Sequence, residues 1–188
     1  MKYKAWWMAD NLSNVGEETP AEVLRAVVDL VPRAPSVLEF GCGPGRVAAL
    51  FPADGYLGVD LNPQAVELAR RRNPRHAFRE VDELEQLPRA DLVLAHTVLL
   101  HVRDRDLPDV LDQLVAAARR TIVVVEIMDP AWSLGRWYQR APQAYAALLE
   151  LRGFSSRIAG TVPHPRYAND ELGRSNLLTV LVADRATP

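Results

Sequence analysis

Glu39, Gly41, Gly43 and Gly45 fall in the stretch VLEFGCGPGRV, an apolar run that ends in an acid and is followed by three glycines at alternate positions. A glycine inside a regular strand or helix costs about 0.5–1 kcal/mol relative to alanine, so three at one junction imply a local purpose. Glycines let the backbone turn sharply and approach a ligand closely, and the helix that follows points its free N–H groups the same way. Two versions of such a loop are missing. The phosphate-loop pattern GxxxxGK[ST] is not met, which argues against nucleotide triphosphate hydrolysis of that type. The dinucleotide pattern GxGxxG fails because Arg46 stands where its last glycine belongs.

Further acids and histidines follow at regular intervals. Asp60 ends the run YLGVD, 19 residues after Gly41, where a carboxylate can bind a ribose diol. Asp82 comes just after a third short run. The segment DLVLAHTVLLHV contains His96 and His101, and TIVVVEI brings Glu126 to the end of another run, with Asp129 beyond it. His164 lies between two prolines and reads as a loop residue.

These residues need a scaffold, and the hydrophobic pattern supplies one. Residues 36–40, 56–60, 77–81, 91–95 and 121–127 read as short buried strands. Between them, helical spacing appears over 19–30 (Thr19 capping, Pro20 at the first helical position), over 63–73 after Asn62, and over 107–120. Arg46 to Leu50 reads as the start of a helix cut short by Pro52. Arg70, Arg71 and Arg72 sit near a helix C-terminus, where they complement the helix dipole, and read as a solvated face. Strands alternating with helices predict a parallel sheet covered on both faces. The last third differs: an aromatic-rich helix over 130–152, then FSSRIAGTV and LLTVLVAD joined without a helix, as in an antiparallel closing pair.

At this point the chain resembles the class I S-adenosylmethionine-dependent methyltransferases of small-molecule type. The resemblance rests on Glu39-Phe-Gly41-Cys-Gly43-Pro-Gly45, GVD ending at Asp60, Asp82, and DLVLAHTVLLHV, and it extends from about residue 20 to the end. It implies an α/β, Rossmann-like three-layer sandwich with a seven-stranded, mostly parallel sheet and one antiparallel edge-pair strand. It implies S-adenosylmethionine as cofactor, held by Glu39, Gly41, Gly43, Gly45, Asp60, Leu61, Asp82 and His96. In that scheme the glycine loop and Glu39 serve the amino-acid end, Asp60 the ribose hydroxyls, and Asp82 the adenine amino group. Cys42 becomes a small loop residue.

The implied reaction is methyl transfer to an oxygen or nitrogen of a small molecule. His96, at the end of strand four, and Glu126 are the candidate catalytic residues, since a base helps a hydroxyl or protonated amine acceptor. Trp6, Trp7, His101, Trp132 and Tyr138 are candidate substrate contacts, because aromatic walls suit a flat or cationic molecule. Residues 1–18 read as a lid-like segment and 130–152 as a substrate-side helix of a single domain spanning 1–188. A protein or peptide side chain as acceptor, or a non-catalytic partner subunit, are the alternatives.

The totals limit the remaining possibilities. With 188 residues, 48% hydrophobic and 24% charged, the chain suits one soluble domain. A formal net charge of −2 gives no general attraction to nucleic acid or membrane. The position after strand four holds AHTV and not the Asp/Asn-Pro-Pro-aromatic tetrapeptide of nucleic-acid amino-methylating enzymes. One cysteine permits no internal disulfide, and a cytoplasmic location is expected. No metal site is expected, since Glu126 and Asp129 alone are a poor ligand set.

Overall fold

The computed structural model describes residues 19–82, 86–132, 138–164 and 175–186. Seven strands form one sheet: β1 (Val37–Phe40), β2 (Tyr56–Asp60), β3 (Ala77–Glu80), β4 (Ala90–His96), β5 (Ala118–Ile127), β6 (Phe154–Pro163) and β7 (Leu177–Arg185). Their order across the sheet is β3-β2-β1-β4-β5-β7-β6. β1 pairs in parallel with both β2 and β4, so the chain reverses its direction of travel across the sheet beside the glycine loop. Open α/β sheets bind ligands at such a switch point, outside the carboxyl ends of the strands. β7 runs antiparallel between β5 and β6 and closes that edge.

Both faces of the sheet are buried, so the central strands carry nearly unbroken apolar runs. On one face, α1 (Ala21–Val28) and α2 (Pro63–Arg72) pack Val23, Leu24, Val27, Val66 and Ala69 against Leu92, Leu94, Val123 and Val125. On the other, α3 (Leu107–Ala117) and α4 (Pro142–Glu150) pack Leu107, Leu111, Leu114, Tyr145 and Leu149 against Val93, Ala95, Ile122 and Val124. Asn62 caps α2 as expected, its side chain accepting from the Gln64 and Ala65 amides, with Pro63 at the first position.

Four boundaries differ from the sequence reading. α1 starts at Ala21 with Pro20 itself in the cap position and no side-chain cap, so the expected Thr19 cap is absent there. After the glycine loop there is only a 3₁₀ turn, Ala48–Leu50, and Phe51 is already extended ahead of Pro52. Residues Ala118 to Arg120, expected at the end of a helix, begin β5, because Ala118 pairs with Ala90 at the start of β4. Among the described residues of the aromatic helix expected over 130–152, Pro142–Glu150 is α-helical and Pro130–Trp132 is a 3₁₀ turn. Ala141 is held extended by the proline after it (ψ 151°), which fixes the helix start at Pro142. The lid-like segment 1–18 lies outside the described residues. No helix among those residues is long and apolar enough to cross a membrane.

Candidate functional site

The carboxyl ends of β1, β2 and β4 bring most of the sequence-chosen residues to one rim. β1 hands over to the loop at Gly41, whose amide, like that of Cys42, donates to the Val59 carbonyl at 2.8 and 3.0 Å. Gly41 has φ +69°, and a Cβ there would lie 2.3 Å from Val98 Cγ2, so the loop after β4 packs directly on the glycine loop. Gly43 differs: its φ is +51°, yet nothing lies within 4 Å of where a Cβ would stand. The chain therefore leaves open space above Gly43, and fills the space above Gly41 itself. Gly45 is tied down through its carbonyl, which accepts from Asn73 Nδ2 at 2.9 Å.

Asp60 links this loop to β2. One carboxylate oxygen accepts from the Gly43 amide and the other from the Asn62 amide, each at 2.8 Å. Burial raises its pKa from the ordinary carboxylate range, and these backbone donors pull it back down. Each oxygen keeps a further lone pair, so the group can accept from a ligand hydroxyl while holding the loop. Leu61, next in the chain, is partly buried against the core, and Asp82 is exposed beyond β3.

Glu39 is 2% exposed and accepts a short hydrogen bond from the Tyr56 hydroxyl. Burial pushes its pKa up to about 7; the Tyr56 bond and Arg46 oppose this, and Asp60 adds to it. Tyr56 itself sits among Phe51, His76 and Phe78 rings. Sequence reasoning missed this partner, although a signal existed: Tyr56 stands opposite Val37, so it shares a sheet face with Glu39 two residues further on. Cys42 is buried, and its thiol is pushed well above the usual range by burial and by Glu39 and Asp60. It is not an activated nucleophile.

His96 ends β4 at 5% exposure. Its Nδ1 lies 3.4 Å from Thr97 Oγ1, and its Nε2 is buried with no hydrogen-bond partner among the described residues. Burial, with Arg46 and His164 adding positive charge, pushes its pKa down to about 3. His101 is pushed down to about 4 by burial and Arg46. Both are neutral, weakly basic imidazoles at pH 7. Thr97 between them adopts φ +50°, an unusual conformation for a β-branched residue and a mark of a constrained turn.

Glu126 is not beside His96. Residues alternate faces along a strand, so His96 follows Leu92 and Leu94 toward the α1–α2 layer. Glu126 follows Ile122 and Val124 toward the α3–α4 layer. There it is fully buried, its Oε1 accepting from the Leu99 and Leu100 amides at 2.8 and 3.2 Å. Burial pushes its pKa up to about 8, against the pull of those amides and of Arg140. Trp132 ends the 3₁₀ turn after β5, and the Tyr138 amide donates to the Leu100 carbonyl at 2.6 Å. Trp6 and Trp7 lie outside the described residues. Among those described, no three His, Cys, Asp or Glu side chains are grouped to hold a metal ion.

A family profile described as "Methyltransferase domain" matches residues 38–121, the span from β1 to the start of β5 that contains Glu39, the glycine loop, Asp60, His96 and His101. The chain has the class I methyltransferase fold. Solved structures of that fold hold S-adenosylmethionine or S-adenosylhomocysteine. The magnesium protoporphyrin IX methyltransferase of Synechocystis PCC 6803, solved with S-adenosylhomocysteine bound, superposes with a TM-score of 0.73 over 97% of this chain and 98% of its own, at 18% identity. The 1,6-didemethyltoxoflavin-N1-methyltransferase of Burkholderia thailandensis superposes at 0.71 over 99% and 90%, at 22% identity. In sequence, the chain is 39% identical over 101 residues to a trans-aconitate 2-methyltransferase of Methylobacterium nodulans, covering 50% of this chain. The chain spans 39% of the length of that relative.

Proposed function

We propose that this methyltransferase-fold protein transfers the methyl group of S-adenosylmethionine to a small molecule, and that the acceptor atom is a carboxylate oxygen. The open space above Gly43, next to the Asp60 carboxylate, carries the first half of this reading. A nucleoside with an amino-acid tail and no phosphate suits a loop that offers backbone and two acids. In this reading Gly41, Gly43, Gly45 and Glu39 hold the amino-acid end, Asp60 with Leu61 the ribose, and Asp82 the adenine. When bound, the sulfonium supplies an electrophilic methyl group for in-line displacement; the protein's task is alignment.

The second half follows from the bases. His96 and His101 are poor proton acceptors at pKa values of about 3 and 4, and Glu126 faces the other layer. A hydroxyl or ammonium acceptor calls for a base that removes a proton, a role for which these three described residues are unsuited. A carboxylate, with an ordinary pKa of about 4, arrives already deprotonated. Arg46, whose charge reaches His96, His101 and Glu39, provides a cation at the rim to draw such an acid in. His96 then lines the acceptor position as a neutral wall. The organic acid in the name of the Methylobacterium relative fits this class.

The test is a methyl-transfer assay with labelled S-adenosylmethionine against trans-aconitate, simple di- and tricarboxylic acids, catechols and amines. The expected product is an alkali-labile methyl ester. Transfer only to phenols or amines, giving alkali-stable products, overturns the carboxylate reading.

A further inference from the structure

Leu99 and Leu100 stand in a three-residue 3₁₀ turn shortly after β4, and all four of their backbone polar groups are bound by two distant stretches, Glu126 at the end of β5 and residues 138–140. Their amides donate to Glu126 Oε1 at 2.8 and 3.2 Å. The Leu99 carbonyl accepts from Arg140 Nη1 at 3.0 Å, and the Leu100 carbonyl from the Tyr138 amide at 2.6 Å. Arg140 is 8% exposed, and its second Nη donates to the Val102 carbonyl while its Nε reaches Asp104 Oδ1 at 2.8 Å. One guanidinium thus spans Leu99 to Asp104, and one carboxylate takes both amides that open the turn. On this turn hang Val98, which covers Gly41, and the histidines His96 and His101.

We propose that Glu126 and Arg140 are positioning residues that form a buried clamp on the 98–104 loop, with Glu126 serving as an acceptor of backbone amides and not as a base for the substrate. The functional weight of the clamp rests on the methyltransferase reading, because the clamped loop forms the acceptor-side wall of that site. Three observations support it. Glu126 lies on the sheet face opposite His96, away from the rim where the acceptor would stand. Its bonding oxygen is occupied by two amides. The carboxyl, pushed up to about 8, is mostly protonated at neutral pH, so a glutamine side chain reproduces the form that is populated. The fork geometry of Arg140 is the part that a lysine cannot reproduce, since an ammonium cannot span three acceptors in one plane.

The experiment compares Glu126→Gln, Glu126→Ala, Arg140→Lys and the parent. It measures Leu99 and Leu100 amide exchange and the imidazole ¹H–¹³C signals of His96 and His101 at fixed pH. It also measures S-adenosylhomocysteine binding, with thermal unfolding as the folding control. Glu126→Gln is expected to keep amide protection within threefold, leave the imidazole signals in place, and hold the dissociation constant within threefold. Arg140→Lys is expected to raise Leu99 and Leu100 exchange at least tenfold and move the His101 signal in a protein that remains folded. Glu126→Ala is expected to do the same; if it fails to fold, the Gln and Lys variants decide. Unchanged exchange and imidazole signals in folded Arg140→Lys overturn the clamp. A tenfold loss of protection in Glu126→Gln overturns the assignment of Glu126 as a neutral amide acceptor. Failure of the parent to bind S-adenosylhomocysteine at millimolar concentration overturns the functional reading and leaves the exchange result intact.

Discussion

Alanine placed at Gly41, Gly43 and Gly153 separates what the backbone needs from what a ligand needs. All three glycines have positive φ, at +69°, +51° and +79°. The left-handed conformation costs an alanine about 1–2 kcal/mol, and the stiffer unfolded chain returns about 0.4–1 kcal/mol. At Gly43 and Gly153 a Cβ meets nothing within 4 Å, so each substitution should cost roughly 0.5–1.5 kcal/mol of stability and no more. At Gly41 the methyl would stand 2.3 Å from Val98 Cγ2 and 2.9 Å from its Cβ. Overpacking of that kind adds about 1–3 kcal/mol, for a total of about 2–4. Denaturant unfolding measures the three costs, and Gly41→Ala with Val98→Ala closes a double-mutant cycle in which the pair should recover part of the loss. Titration with S-adenosylhomocysteine then divides the two cheap substitutions. Gly43→Ala places its methyl in the space assigned to the ligand and should weaken binding at least tenfold, about 1.4 kcal/mol. Gly153→Ala, at the junction of α4 and β6, should leave binding unchanged. Equal stability losses at Gly41 and Gly43 would refute the packing argument, and equal affinities for the Gly43 and Gly153 variants would refute the placement of the ligand.

Other expectations are shorter to state. Asp60→Asn should weaken S-adenosylhomocysteine binding by about 1.5–3 kcal/mol, the usual worth of hydrogen bonds to a charged group, and an unchanged dissociation constant would remove Asp60 from the site. Glu126 has a folded pKa of about 8, against 4.5 when unburied, so the unfolded chain ionises first and stability falls as pH rises between those values. His96 works in the opposite sense, its stabilising contribution being lost as pH falls from 6.5 toward 3, so the window above pH 6.5 isolates the acids. There Glu126→Gln should flatten the decline in unfolding free energy; a slope equal to that of the parent would contradict the buried, protonated carboxyl. Cys42 should undergo only slow thiol–disulfide exchange with an aromatic disulfide reagent in the native state, and rapid stoichiometric labelling would contradict its burial and raised pKa.

Much of the architecture was legible because it depends on local pattern. The buried runs gave the parallel strands, Asn62-Pro63 gave the start of α2, and the three glycines with Asp60 marked the switch point before any strand order was known. Where the reading departed from the structure, a competing local or long-range term decided. Ala118 to Arg120 carried helical periodicity with no glycine or proline to end it, and pairing of Ala118 with Ala90 drew them into β5. Residues 138–141 read as part of the aromatic helix, yet Pro142 holds Ala141 extended and the helix starts after it. In the site, the two candidate catalytic residues came from adjacent strands with nothing in the sequence to fix their relative register. Pairing His96 with Val125 sends Glu126 to the opposite face. Arg140 left no trace at all, because its partners at Leu99, Val102 and Asp104 are mainly backbone carbonyls some 40 residues away.

Calorimetric titration of the purified chain with S-adenosylmethionine and with S-adenosylhomocysteine tests the central claim most directly. Saturable one-to-one binding of both, in preference to NADH and weakened by Asp60→Asn and Gly43→Ala, is the result this account requires. No heat of binding at millimolar ligand, or tighter binding of NADH, would contradict it.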